Sequence, residues 1–221
     1  MNLSRVLSCL SLLLAAAAAQ EPKPCVAPPL MSGGLTVMTA DGYIMSAGLI
    51  SYDAFGQRMR VKTMGLVGNQ TIVDQLMLFN QKVYYEIDWR KFSCKKKKLN
   101  TDFSPISVPS DANLMGQVFM GSSSSWGMGV MTNTWYGSLP GNGTYTSVFT
   151  EIGCIPVAHS TFTPETGWTT VSTYNWVLGN ADPMEYFPPF FCSKAKLEET
   201  ETPDNVFTAL RSLAIKTKTE E

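Results

Sequence analysis

His159 is the only histidine in the chain, so any nucleophilic device built on a Ser-His or Cys-His pair would have to run through it. It sits shortly after Pro156, where a surface or structurally bonded imidazole is the plainer reading. No G-x-S-x-G, H-E-x-x-H or Walker pattern occurs, and no G-x-G-x-x-G leads into a helix. Gly127-Met128-Gly129 lacks the third glycine and lies in a β-like run. Asp53, Asp88 and Glu151 stand singly at strand ends or on wet faces. These residues point away from catalysis.

Five cysteines are present. Cys9 lies in an N-terminal apolar run, and Cys25, Cys94, Cys154 and Cys192 form an even set, the arithmetic of two disulfides in an oxidising compartment. The competing use, a four-thiolate metal site, would need the close spacings of a zinc knuckle, which no pair here has. Of the three connectivities that four cysteines allow, spacing selects none. Asn69-Gln70-Thr71 and Asn142-Gly143-Thr144 are N-glycosylation sequons in polar, turn-like surroundings.

Large apolar and soft side chains are the other resource. Trp126, Met128, Trp135, Phe149, Phe162, Trp168, Tyr174 and Trp176 are candidates for the wall of a ligand cavity. In residues 168–178 one face reads Trp168, Thr170, Ser172, Tyr174, Trp176, Leu178, and the other Thr169, Val171, Thr173, Asn175, Val177. Aromatics mixed with hydroxyls suit an amphipathic ligand, rings against its body and hydroxyls at its polar end. The same pattern also serves an ordinary two-layer core. Arg90, Lys91 and Lys95, Lys96, Lys97, Lys98 form a dense basic cluster. Four successive lysines point to both faces of any strand, so the stretch is expected to be an exposed edge or loop. It would deter aggregation there, or meet an anionic glycan or lipid headgroup.

The elements that must position these residues are mostly strands. The chain has 221 residues, 44% hydrophobic and 16% charged, with 17 Lys+Arg against 18 Asp+Glu. That is enough apolar content for a core, and a formal charge of −1 offers no pull toward nucleic acid. Residues 1–19 read as a signal peptide: Arg5 is a positive n-region, residues 6–19 are apolar but too short to span a bilayer, and Ala17 and Ala19 place the cut before Gln20. Period-two alternation marks strands, as where Arg58, Arg60 and Lys62 interleave with Met59, Val61 and Thr63. Further β-rich runs cover 43–52, 71–79, 82–88, 127–136, 144–152 and 168–178. Proline- and glycine-rich punctuation separates them at 100–112, 121–125, 138–143 and 180–189. The pattern predicts a mainly β, antiparallel architecture in one domain over 20–221. One short C-terminal helix is expected, capped by Thr202 with Pro203 at its first position and Val206, Leu210 and Leu213 on one face.

Five fragments in order carry a resemblance. They are Pro24-Cys25-Val26-Ala27-Pro28; Ser51-Tyr52-Asp53 with Gln57-Arg58-Met59-Arg60-Val61; Ile87-Asp88 six residues before Cys94; Gly153-Cys154-Ile155-Pro156-Val157; and Asp182-Pro183 with Phe187-Pro188-Pro189 and Cys192. Together they resemble the ependymin family across most of the chain, and residues 205–213 are similar to the tail of fish ependymins. The resemblance implies two stacked, curved antiparallel sheets, similar to bacterial lipoprotein carriers, enclosing a hydrophobic pocket. It implies a homodimeric glycoprotein, secreted or lysosomal, that binds lipid or another hydrophobic molecule, associates with calcium, requires no cofactor, and acts in matrix and cell contact. It also implies the pairs Cys25 with Cys154 and Cys94 with Cys192. The chain lacks the further cysteine pair of mammalian relatives, so the tail from residue 193 is expected to be freer. A carrier of a hydrophobic ligand is the leading expectation, and an adhesion glycoprotein without a buried ligand is the alternative.

Overall fold

The computed structural model describes residues 21–40, 45–66, 72–164, 167–179 and 182–198. The expected signal peptide, the sequon at Asn69 and the helix after Thr202 lie outside the described residues. Within them the chain is almost wholly strand. The first meander runs β1 (Leu30–Thr39), β2 (Met45–Asp53), β3 (Arg58–Gly65), β4 (Ile72–Leu78), β5 (Val83–Asp88) and β6 (Ser93–Lys98). The second runs β7 (Asn113–Gly121), β8 (Gly129–Leu139), β9 (Gly143–Thr150), β10 (Pro156–Thr163) and β11 (Gly167–Leu178). A two-residue β12 (Leu197–Glu198) adds in parallel outside β6.

The two meanders meet where β1 pairs antiparallel with β11, from Met31 opposite Leu178 to Thr39 opposite Thr169. That ladder makes one continuous sheet of 12 strands, ordered β12-β6-β5-β4-β3-β2-β1-β11-β10-β9-β8-β7. The expectation of two stacked sheets is therefore corrected to one large sheet, because β1 hydrogen-bonds on both sides and leaves no break. Antiparallel neighbours joined by short turns account for most of the order.

One face of the sheet carries the main core. Met31, Leu35, Val37, Ile50, Tyr52, Met59, Val61, Met77, Tyr84, Trp135, Phe149 and Val171 are buried there. The proline-bearing segment 100–112 crosses this face and contributes Phe103, Ile106 and Val108. Its backbone is satisfied rather than left bare: the Ile106 N–H donates to the Tyr52 hydroxyl (3.1 Å), and the Ala27 N–H donates to the Ile106 carbonyl at 2.9 Å. The Cys25–Cys154 disulfide pins the N-terminal segment to the β9–β10 turn, with Cα atoms 6.0 Å apart.

The opposite face has a second, smaller core of Leu76, Leu78, Tyr85, Ile87, Tyr186 and Cys192. Residues 182–194, with short 3₁₀ turns at Pro183–Tyr186 and Phe190–Lys194, lie against it. The Cys94–Cys192 disulfide fastens them, with a Cα separation of 5.1 Å. Asp182 caps the first turn by accepting from the Met184 N–H (2.9 Å) with Pro183 following it. Because both faces are covered, residues 74–78 of β4 are buried without alternation. At the start of the tail the Ser193 hydroxyl donates to the Phe190 carbonyl and β12 pairs with β6.

Candidate functional site

Arg58, Arg60 and Lys62 alternate along β3, as the sequence pattern requires, but their face is not wet. Residues 182–186 cover it and bring acceptors. The Arg60 guanidinium donates to both carboxylate oxygens of Asp74, Nε at 2.8 Å and Nη2 at 2.6 Å, and Nη1 donates to the Glu185 carbonyl at 2.8 Å. Trp89 Nε1 adds a further bond to Asp74 at 2.6 Å. The pair is almost fully enclosed, with side chains 5% and 1% exposed, so its bidentate geometry works in a low dielectric. Lys62 Nζ meets the Glu185 carboxylate at 2.6 Å in a half-exposed pair. Arg58 bonds Asp53 at 2.7 Å and lies 4.4 Å over the Tyr186 ring. Burial and the neighbouring Asp53 carboxylate push the Tyr186 phenol up.

Beside this network the same face opens into a cleft of about 460 Å³. Its floor is β1 and β2 at Gly33, Gly34, Gly48 and Leu49; one wall is Tyr174, Asn175 and Val177 of β11, and the other is Arg60, Lys62, Asp182 and Glu185. The glycines keep the floor low. A β-carbon at Gly48 would stand 1.8 Å from the Lys62 carbonyl oxygen, and one at Gly34 would stand 2.2 Å from the Tyr174 ring. Tyr174 therefore lies flat on a glycine, leaving Leu49 and Val177 as exposed apolar contacts. The chemistry is amphipathic: a greasy floor with an ion pair at one end.

A bulge shapes the β11 wall. The β1–β11 register shifts between Ser32 and Gly34, and Asn175 adopts a left-handed φ of 54°, a conformation that asparagine tolerates better than most residues. The extra residue reverses the alternation. Trp168, Thr170, Ser172 and Tyr174 share the cleft's face, whereas Trp176 turns to the main core and donates Nε1 to the Pro156 carbonyl at 2.9 Å. Thr173 Oγ1 donates to the same carbonyl at 2.7 Å.

The structure does not bring the eight aromatic and methionine candidates together. Tyr174 lines the cleft. Trp135 and Phe149 are buried in the main core. Phe162 and Trp168 are cross-strand neighbours with ring centroids 5.4 Å apart. Trp126 and Met128 are exposed in the β7–β8 connection. The residues that sequence reasoning missed, Gly33, Gly34, Gly48 and Leu49, belong to strands that meet β11 only through non-local pairing. The basic cluster is also divided. Lys97 is buried and donates to Glu86 at 2.8 Å, Lys96 lies 5.8 Å over the Tyr85 ring, and Lys95 and Lys98 are exposed. Asn142 occupies an exposed turn between β8 and β9 with a φ of 59°. Among the described residues no three His, Cys, Asp or Glu side chains gather into a group that could hold a metal ion.

His159 stacks on Tyr145 with centroids 5.9 Å apart, and burial lowers its pKa to about 4. Its cross-strand neighbour is Ser147, whose hydroxyl makes no hydrogen bond. The geometry is that of a packed neutral imidazole.

The fold as a whole is similar to that of an uncharacterized conserved protein from Thermus thermophilus, whose crystal structure aligns with a TM-score of 0.51 at 10% identity, covering 86% of this chain and 99% of that one. That likeness defines a fold class of large, mostly antiparallel sheets. Sequence supplies the rest: residues 68–192 match the Ependymin family model. Ependymin-2 of Carassius auratus is 30% identical over 205 residues, covering 91% of this chain and 94% of that one. Ependymin-2 of Salmo salar is 33% identical over 191 residues, covering 84% and 85%. The chain belongs to the ependymin family.

Proposed function

We propose that this protein is a secreted glycoprotein that binds a hydrophobic or amphipathic molecule of the lipid or fatty-acid class. The observation that carries the reading is the cleft over β1, β2 and β11, with glycine backbone and Leu49 along its floor, Val177 and Tyr174 in one wall and the Lys62–Glu185 pair at one end. Its volume of about 460 Å³ falls within the range of roughly 300–1,000 Å³ usual for small-molecule sites. Apolar ligand surface buried there contributes roughly 25 cal/mol per Å², and the ion pair orients the polar end. The N-terminal apolar run, the two disulfides and the exposed sequon at Asn142 support export to the extracellular fluid or a lysosomal lumen. Calcium enters as a family expectation, checked by repeating the binding measurement with a chelator.

A fluorescent fatty-acid analogue titrated into the full chain tests the reading. Saturable binding is expected for wild type. In Leu49→Asp, at a side chain already exposed, binding should weaken by about tenfold or more, the effect of 1.4 kcal/mol. Equal binding by both proteins would place the ligand elsewhere. The second reading, a matrix or cell-contact glycoprotein, draws on the exposed Asn142 turn and predicts no specific probe binding together with adhesion lost on deglycosylation.

A further inference from the structure

The cleft has a direction that the strand register fixes. Antiparallel pairing sets Lys62 of β3 opposite Leu49 of β2, Leu49 opposite Gly34 of β1, and Gly34 opposite Tyr174 of β11. Directly paired residues share a face, so these four form one row across the strands, and all of them line the cleft. Three steps between neighbouring strands make the row about 14 Å long. It is apolar from the Tyr174 ring to Leu49 and charged beyond. The adjoining row holds Ser51 opposite Ser32, so the greasy track is one side chain wide on that side. A single alkyl chain fits it, lying across the strands with its polar end at β3.

The charges at that end do not balance. Arg60 is turned inward: its guanidinium donates to the buried Asp74 and to the Glu185 carbonyl, and its side chain is only 5% exposed. What remains toward the cleft is Lys62 with Glu185 and Asp182, one positive group against two negative. Positions three apart in a 3₁₀ turn eclipse, which puts Asp182 and Glu185 on one side of theirs. Lys62 Nζ already donates to Glu185 at 2.6 Å, while Asp182 Oδ1 accepts from the Met184 N–H. An arriving carboxylate would have to draw Lys62 away from Glu185 and then lie beside two like charges. An ammonium group meets both carboxylates through charge-assisted hydrogen bonds and leaves Lys62 in place. We infer that the ligand of this cleft is a single-chain amphiphile whose polar end carries an ammonium group held by Glu185 and Asp182. This rests on the cleft being the ligand site, as proposed above, and narrows it: a fatty acid buries the same chain along the row but brings the wrong charge to its end. A long-chain amine and a zwitterionic phosphocholine share the ammonium, and the second adds a phosphate beside Lys62.

Isothermal titration calorimetry of the disulfide-intact full chain at neutral pH tests it with three probes of one chain length: dodecylamine, dodecylphosphocholine and dodecanoate, each below its critical micelle concentration. At least one ammonium probe should bind wild type about tenfold more tightly than dodecanoate, the effect of one hydrogen bond to a charged group. Glu185→Gln keeps the backbone carbonyl that Arg60 uses. It should weaken the ammonium probes and tighten dodecanoate, because Lys62 is released. Asp182→Asn keeps the cap and should also weaken the ammonium probes. Loss of dodecylphosphocholine affinity in Lys62→Gln assigns a zwitterionic head; no loss assigns a simple amine. Dodecanoate binding as tightly as both other probes, or a preference that survives Glu185→Gln and Asp182→Asn, overturns the inference and leaves the cleft standing if Leu49→Asp still weakens all three. Binding of none of the probes, or binding indifferent to Leu49→Asp, removes the cleft and the inference together.

Discussion

Replacing Arg60 with methionine keeps the apolar stem and removes the guanidinium. Three hydrogen bonds disappear, two to Asp74 and one to the Glu185 carbonyl. Asp74 stays 1% exposed, with Trp89 Nε1 still bonded to it. A buried carboxylate stripped of its cation costs about 3–5 kcal/mol, which at this chain length lowers Tm by roughly 6–20 °C. Urea titration followed by tryptophan fluorescence gives the free energy, since Trp89 reports on the site directly. The partner substitution Asp74→Leu should be costly alone, leaving Arg60 buried with the Glu185 carbonyl as its one remaining acceptor. The double variant Arg60→Met/Asp74→Leu should be less destabilised than the sum of the two singles by several kcal/mol, because removing both charges removes the desolvation cost as well. If Arg60→Met costs under about 1 kcal/mol, or the two effects simply add, the pair is solvated and residues 182–186 do not close over β3 as described.

The remaining expectations concern pH and the bridges. Burial holds the His159 pKa at about 4, below the unfolded value near 6.5, so the unfolded chain takes up the proton first. The stabilisation is complete above pH 6.5 and is lost as pH falls toward 4, by at most about 3 kcal/mol. The stability difference between wild type and His159→Gln, from urea melts at about pH 7, 5.5 and 4.5, should shrink over that window; a constant difference would mean the imidazole is solvated. Cys94→Ser/Cys192→Ser opens a loop spanning 98 residues and is expected to cost about 5 kcal/mol in the chain-entropy account. Limited proteolysis should then cut first within 182–198, and unchanged cleavage would show that packing alone holds that segment.

Strand content was legible because alternation is a local signal: β3, β5, β8, β9 and β11 coincide with runs that alternate in sequence. Of the eleven longer strands, four were not. Leu30–Thr39 carries two adjacent glycines, Ser93–Lys98 is mostly lysine, Asn113–Gly121 has no polar face, and Pro156–Thr163 begins at a proline. The single sheet was hidden for a related reason, since it depends on β1 meeting β11 across more than 120 residues of chain. The candidate site suffered most from the bulge at Asn175, where one extra residue sends Trp176 and Tyr174 to opposite faces although they are two apart in sequence. Arg58, Arg60 and Lys62 were recognisable as one face, but residues 182–186 that cover them come from a stretch legible only as turns. The cleft floor left almost no trace: an exposed leucine and three glycines mark a concavity only once their neighbours are known.

The most direct test of the account is native mass spectrometry of the full chain as secreted from cells, purified without detergent or added lipid. A wild-type population carrying one bound molecule of lipid-like mass per protomer is expected, released by organic solvent and missing from Leu49→Asp. Wild type and variant at the same bare protein mass, or carrying the same adduct, would contradict it.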